Sequence, residues 1–324
     1  MSFLLINPKN NSPLSYDNDL LSDDEGNIFS VINGVPRISA LQNYADNFGL
    51  QWNRFDQTQL DRRDDGLLLS EKRFFAETGW SPQELGGKDI LEVGSGAGRF
   101  SKVVLEQTTA NLYSIDYSDA VSANFKNNGN IAPSRFHLFQ ASIYEMPFSN
   151  DVFDKVFCLG VLQHTPDFQS SVKALIDKAK PGGEVVVDFY PIKGWWTKIH
   201  AKYIFRPVTK RMSHERLFKL IDGNVDWLTK LSKVLNKFGL VALTRFLPIV
   251  DLRTMPRDIL SAAQLREWIV LDTFDMFSPE HDHPQRISDV AAMFKSNGVQ
   301  VTFAGFVEYA SGFHAAVVRG VKQP

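Results

Sequence analysis

The stretch Leu91-Glu92-Val93-Gly94-Ser95-Gly96-Ala97-Gly98-Arg99-Phe100 constrains this 324-residue chain more than any other. An apolar strand runs into three alternating glycines, and then Phe100, Val103 and Val104 fall on one helical face. Glycine has no Cβ, so it takes turn conformations closed to other residues and lets a ligand approach the backbone. A strand, a glycine turn and a helix in that order are the context that a nucleotide-binding loop requires.

The spacing narrows the choice of nucleotide. A dinucleotide loop reads G-x-G-x-x-G/A and ends on a small residue where helix meets strand. Counted from Gly94, that position is the bulky Arg99. The pattern is instead E-x-G-x-G-x-G, and it resembles the first motif of class I S-adenosylmethionine-dependent methyltransferases. Asp116 closes the next apolar run, Asn111 to Ile115, where a carboxylate can accept two hydrogen bonds from a ribose diol. Dehydrogenases place an acid similarly, so Asp116 supports a nucleoside without separating the two classes.

Three further segments carry the resemblance. Phe139 to Phe148 is similar to the methyltransferase stretch G-D-A-x-x-L-P-F, with Ser142 where the family has aspartate. Asp151 to His164 resembles F-D-x-V-x-x-x-x-V-L-x-H, and Lys180-Pro181-Gly182-Gly183 resembles L-K-P-G-G. The resemblance implies S-adenosyl-L-methionine as cofactor. It implies contacts from Glu92, Gly94, Ser95, Gly96, Gly98, Arg99, Asp116, Tyr117, Leu159 and Gly160, and adenine contacts from Ser142 or Ile143. Asn47 to Phe55 resembles an F-G-x-Q-W-x-x-F signature of related fused enzymes, which offers Gln51 or Arg54 to the methionine carboxylate. An equal alternative is that its aromatic residues only fix a helix to the sheet.

The fold class expected is α/β: a Rossmann-like seven-stranded methyltransferase sheet with a terminal antiparallel hairpin, a small N-terminal module and a helical cap insertion. Strands are predicted at 89–93, 111–115, 135–140, 153–159 and 184–190. Asp167 should cap a helix bearing Phe168, Val172, Leu175 and Ile176 on one face. Strands alternating with helices give a parallel sheet. Gln300–Val307 and Phe313–Val318 form the terminal hairpin. The organisation reads as 1–40 a separate small module, 41–85 a helical lead-in, 86–190 the cofactor-binding core, 191–285 the cap, and 286–324 the closing helix and hairpin. The 1–40 unit resembles a zinc-ribbon-like module that begins C-P-x-C. Asn7 and Asn10 stand in place of that cysteine pair, so no metal is expected there.

Composition bounds the rest. Hydrophobic residues make up 44% and charged residues 22%, a balance ordinary for a globular protein. A net charge of −2 argues against a protein that coats nucleic acid, but it allows a local basic patch. No apolar run approaches the roughly 20 residues of a membrane span. Met1–Ile6 lacks the basic start of a secretory signal, which makes the cytoplasm the expected compartment. The lone Cys158 excludes an intrachain disulfide and sits in an apolar strand as a core residue.

The cap opens on a basic run with interleaved aromatics: Lys193, Lys198, Lys202, Arg206, Lys210, Arg211, Arg216 and Lys219 among Trp195, Trp196, Tyr203 and Phe205. One reading is a solvated helical face. Another is an anionic partner: a phosphorylated carrier, an acidic lipid surface contacted peripherally, or RNA.

Candidate proton acceptors are His164, which follows the fourth core strand, and His283 and Asp275, in the segment Asp272 to Pro284. That segment resembles D-x-F-D-x-x-S-P-x-Y-x-H, with His281 where tyrosine is usual. Its histidines and acids also allow a divalent metal or a purely structural loop, and no metal ligand is assigned. His314 reads as a core histidine. The function expected is methyl transfer to a small-molecule or carrier-linked acceptor, preferably at oxygen. The alternatives are an RNA methyltransferase, a nicotinamide-dependent oxidoreductase and a non-catalytic interaction protein. The acceptor and the oligomeric state stay open.

Overall fold

The computed structural model describes residues 5–17, 20–40, 43–62, 66, 68–192, 194–257 and 259–324. Lys193 of the basic run and Met1–Leu4 lie outside them. Four short strands, β1 (Leu14–Asp17), β2 (Leu20–Asp23), β3 (Ile28–Ile32) and β4 (Val35–Pro36), make an antiparallel sheet in that order. Helices α1 (Asp46–Arg54) and α2 (Leu69–Thr78) lead to the core. The core alternates β5 (Asp89–Val93), α3 (Arg99–Gln107), β6 (Asn111–Asp116), α4 (Ala120–Asn128), β7 (Phe136–Gln140), β8 (Phe153–Cys158), α5 (Phe168–Lys178) and β9 (Ala179–Phe189). The cap contributes α6 (Ala201–Thr209), α7 (His214–Lys237), α8 (Val241–Thr244) and α9 (Ala262–Phe277). Then α10 (Ile287–Ser296), β10 (Val299–Ala310) and β11 (Phe313–Lys322) close the chain.

The large sheet has the order β10-β11-β9-β8-β5-β6-β7. Strands β7, β6, β5, β8 and β9 pair in parallel, whereas β11 runs antiparallel to both β9 and β10. This is the Rossmann-like sheet with a terminal hairpin expected of the fold class. The inner strands β5, β6 and β8 are buried nearly throughout, because helices cover both faces of a parallel sheet. Asp167 accepts the Ser170 N–H at 3.0 Å and caps α5 as its position predicts. Lys180 to Gly183 belongs to the start of β9, and Gly182 takes φ +79° at a shift in register against β8.

Among the described residues, the first forty build no apolar core separate from that of the sheet. Leu5, Leu14, Leu21 and Ile38 join one apolar cluster with Leu91, Tyr113, Phe139 and Phe148 of the sheet. Ile38 N–H bonds the Gln140 carbonyl at 2.8 Å, along the otherwise open edge of β7. Arg37, 6% exposed, spans Asp119, Gln140 and Ser122 at 2.9–3.0 Å. This unit is therefore a border of the main sheet rather than a separate body. At its tip the Asp23 carboxylate accepts Asn7 Nδ2 at 2.6 Å, Asn10 Nδ2 at 3.1 Å and Asn27 Nδ2 at 2.8 Å. Burial pushes that carboxyl up, but these amides and the Asn27 backbone N–H outweigh it and hold Asp23 well below the usual range. Hydrogen bonds to a carboxylate thus join the segments around the two asparagines that replace the cysteine pair. Among the described residues no group of three or more His, Cys, Asp or Glu could hold a metal ion.

The cap leaves and rejoins the core at one place. Ile192 N–H bonds Gln285 O at 2.8 Å, and Gln285 N–H bonds Tyr190 O at 2.9 Å. Between these ends α7 and α9 pack through Leu217, Phe218, Ile221, Trp268 and Phe274 in a second apolar cluster that also takes in Phe55 and Leu69. No described helix is long and apolar enough to cross a membrane.

Candidate active site

The strand order reverses between β5 and β8, and ligands of open α/β sheets bind outside the carboxyl ends of strands at such a point. A cavity of about 540 Å³ lies there. Its floor is the turn after β5. Gly94, Gly96 and Gly98 have φ of +81°, +53° and +84°, a region that side-chain-bearing residues avoid. A Cβ on Gly94 would collide with the Val161 side chain, and one on Gly96 would lie 3.1 Å from Trp52 Nε1. The turn therefore needs glycine both for its conformation and for its clearance.

Asp116 ends β6 beside this turn. Its Oδ2 accepts the Gly96 N–H at 2.9 Å, and its Oδ1 accepts the Ser118 N–H and hydroxyl. Burial raises the carboxyl, and these donors oppose the rise. Ser95, Arg99, Tyr117, Ile143, Leu159 and Gly160 also line the cavity, as do Gln51 from α1 and the aromatic residues Tyr44, Phe48 and Trp52. Two of these linings carry buried polar atoms that have no hydrogen-bond partner among the described residues: both amide atoms of Gln51, and Ser95 Oγ. Native proteins rarely leave such groups orphaned. Their presence in a polar-floored cleft of this size fits a ligand with hydrogen-bonding groups, as a nucleoside linked to an amino acid would be.

Five residues named from the sequence are not in the lining. Glu92 lies beneath the turn, 1% exposed, and accepts the Ser101 and Ser114 hydroxyls. Gly98 starts α3, where a Cβ would strike Asn124 and Asn128, so it serves packing. Ser142 Oγ accepts the Tyr144 N–H, while its neighbour Ile143 faces the cavity. Arg54 sits on the far side of α1, its guanidinium carbon 3.6 Å from the Phe218 ring centroid. His283 is exposed and stacks on His281 at 5.9 Å. His314 is likewise exposed, at the start of β11, rather than in the core.

The other end of the cavity is polar. His164 is buried, and burial lowers its pKa below the ordinary value. Its Nδ1 lies 3.2 Å from the His281 carbonyl oxygen. A carbonyl only accepts, so Nδ1 carries the proton and Nε2 keeps its lone pair. Tyr190, at the end of β9, donates to Asp275 Oδ2 at 3.0 Å, and its ring meets that of His164 edge-on. Lys202 packs on the Tyr190 ring and pairs with Asp282 at 2.7 Å. Asp272 lines the same end. Burial first, then the charge of Asp275, pushes it up to about 7. Arg73 reaches in from α2, bonded to Glu77 at 2.7 Å and to Asp188, which also accepts the Gly160 N–H. Tyr190 was discoverable from its place at a strand's carboxyl end. Arg73 gave no sequence signal.

Residues 91–187 match the Methyltransf_11 family model, a methyltransferase domain. This segment is a class I methyltransferase domain, the class whose cofactor is S-adenosyl-L-methionine. Among similar proteins, the tRNA U34 carboxymethyltransferase of Nautilia profundicola is 34% identical over 110 residues, which are 34% of this chain and 37% of that protein. The ubiquinone biosynthesis O-methyltransferase of Nitrosospira multiformis is 36% identical over 127 residues, 37% of this chain and 52% of that protein. The chain thus spans between about a third and half the length of these curated relatives. The solved magnesium protoporphyrin IX methyltransferase of Synechocystis aligns over 86% of this chain and 97% of its own, with TM-score 0.49 and 14% identity.

Proposed function

We propose that this protein transfers a methyl group from S-adenosyl-L-methionine to a small-molecule or carrier-linked acceptor, with oxygen as the preferred atom. The observation that carries the reading is the convergence of the Gly94–Gly96 turn, the Asp116 carboxylate and the orphaned Gln51 amide on one cavity. Bound there, the cofactor supplies a methyl group on a positively charged sulfur, a leaving group that needs no further activation. Asp116 is placed to accept from a ribose diol. Gln51, rather than Arg54, is offered to the amino-acid end. Tyr44, Phe48 and Trp52 exclude water from the cleft. Positioning of this kind accounts for roughly 7–11 kcal/mol in favourable cases.

An oxygen acceptor must lose a proton, and His164 Nε2 is the group assigned to take it. Asp275, fixed by the Tyr190 hydroxyl, is the second candidate. His283 is set aside because it does not reach the cavity. Titration of S-adenosylhomocysteine tests the pocket. The wild type should bind, and Gly96→Val should lose more than about tenfold in affinity because its side chain meets Trp52. Equal binding by both proteins would remove the pocket assignment. Methylation of RNA is the second reading. The basic cap favours it, as does the printed name of the Nautilia relative.

A further inference from the structure

The cap exposes an apolar surface that the proposed chemistry does not use. Leu220, Trp227, Leu231 and Val234 of α7 and Phe238 at its C-terminal cap are all exposed, Trp227 to 53% and Phe238 to 71%. Their spacings of seven, four, three and four put them in one stripe, since about 3.6 residues complete a turn. The row that packs into the core, Leu217, Ile221, Val225 and Leu228, lies roughly a third of a turn away. Lys219, Lys230, Lys233 and Lys237 form a third, basic face. Of the three acids of this helix, Asp222 and Asp226 are engaged by Arg266, at 2.8 and 3.0 Å, which leaves Glu215 of the first turn against the four lysines.

The surroundings repeat the pattern. Trp195 is 80% exposed and Val208 67%. The Trp195–Trp196 turn is tied to α8 by Arg245, which donates to Trp196 O at 2.8 Å. Residues 194–246 hold eleven Lys or Arg and three acids, a net +8 within a chain of net −2. Lys202 and Arg206 are buried and turn inward to Asp282 and the Pro279 carbonyl, so the other nine cations and three acids leave a net +6 on the side that also carries the apolar stripe.

We infer that the α6–α8 face of the cap docks on an anionic lipid bilayer. An interfacial helix combines an apolar stripe, a basic face and tryptophan at the boundary, and each Lys or Arg near an acidic leaflet contributes to binding. RNA is disfavoured because Leu220, Leu231, Val234 and Val208, which separate the exposed rings, offer no face on which a base can stack. A groove of about 1090 Å³, lined by Trp196, Val241, Ala242, Arg245 and Phe306, adjoins the active-site cavity and shares Tyr190, His200 and Asp251 with its lining. Resting on the methyl-transfer reading, this shared lining makes an amphiphile the acceptor class that suits the protein, its tail in the groove and its polar end beside His164.

Sedimentation of the full-length protein with vesicles tests the assignment. One set is phosphatidylcholine alone, and the other includes phosphatidylglycerol. Binding should appear with the anionic set and weaken at high salt. It should drop more than about tenfold in Trp227→Ser/Phe238→Ser and in Lys230→Glu/Lys233→Glu/Lys237→Glu. Absence of vesicle binding, equal binding by the variants, a dimer that depends on the stripe, or salt-sensitive RNA binding without vesicle binding would each overturn it. S-adenosylhomocysteine titration of the same proteins separates the two readings. Cofactor binding without vesicle binding removes only the docking surface, and the reverse removes only the pocket.

Discussion

Replacing Glu92 by glutamine should flatten the pH dependence of stability. Glu92 is buried under the glycine turn. Burial raises its carboxyl from 4.5 to about 7, although the Ser101 and Ser114 hydroxyls pull the other way. Oε1 has no hydrogen-bond partner among the described residues. A carboxyl raised on folding favours the native state fully below its unfolded value, and that contribution is lost as pH rises through the folded value. With those two values, linkage gives a loss of about 2.5 kcal/mol between pH 5 and pH 8.5, most of it below pH 7. Glutamine cannot ionise, and its carbonyl still accepts both hydroxyls. Urea unfolding followed by circular dichroism at the two pH values, for wild type and Glu92→Gln, measures the difference directly. The stability of the wild type should fall relative to the variant by about 2.5 kcal/mol across that range. Parallel pH profiles for the two proteins would mean that Glu92 is ionised in the native state and that the burial argument is wrong.

Gln51→Leu should stabilise the ligand-free protein by about 1–2 kcal/mol, because it removes an orphaned buried amide. The same change should weaken S-adenosylhomocysteine binding in calorimetry, whereas Arg54→Ala stays within about twofold of wild type. With an acceptor in hand, the kcat profile should rise through a pKa below the ordinary histidine value of 6.5 and stay flat above it, and His164→Gln should abolish that limb. Treatment with EDTA should leave thermal unfolding unchanged, while Asp23→Ala lowers the midpoint because Asn7, Asn10 and Asn27 lose their common acceptor.

Much of the core was legible because buried parallel strands write themselves as apolar runs. The predicted strand at 89–93 coincides with β5, and four others differ by a few residues at their ends. The glycine turn was legible because backbone conformation and clearance demand one residue type. Side-chain direction was less so. Arg54 follows Gln51 by three residues on the same helix yet turns away to the Phe218 ring, and only the packing of α7 decides that. The sequence marked Glu92 as part of the loop motif but could not say that its side chain points beneath the glycine turn, at Ser101 and Ser114. In the cap segment, His281 and His283 carried no sign that neither side chain would line the cavity.

The Arg37 clamp has a practical bearing on how this chain can be cut. Its guanidinium fastens the first forty residues to Asp119, Gln140 and Ser122, and Asp116 pairs with Gln140 across the adjoining strands. An enzyme trimmed to begin near residue 43 would present β7 as an open ladder, and open ladders recruit neighbouring molecules. It would also loosen the strand next to Asp116. Shortening the protein to its recognisable domain would thus trade a sealed margin for an adhesive one, with the damage arriving at the cavity beside Asp116.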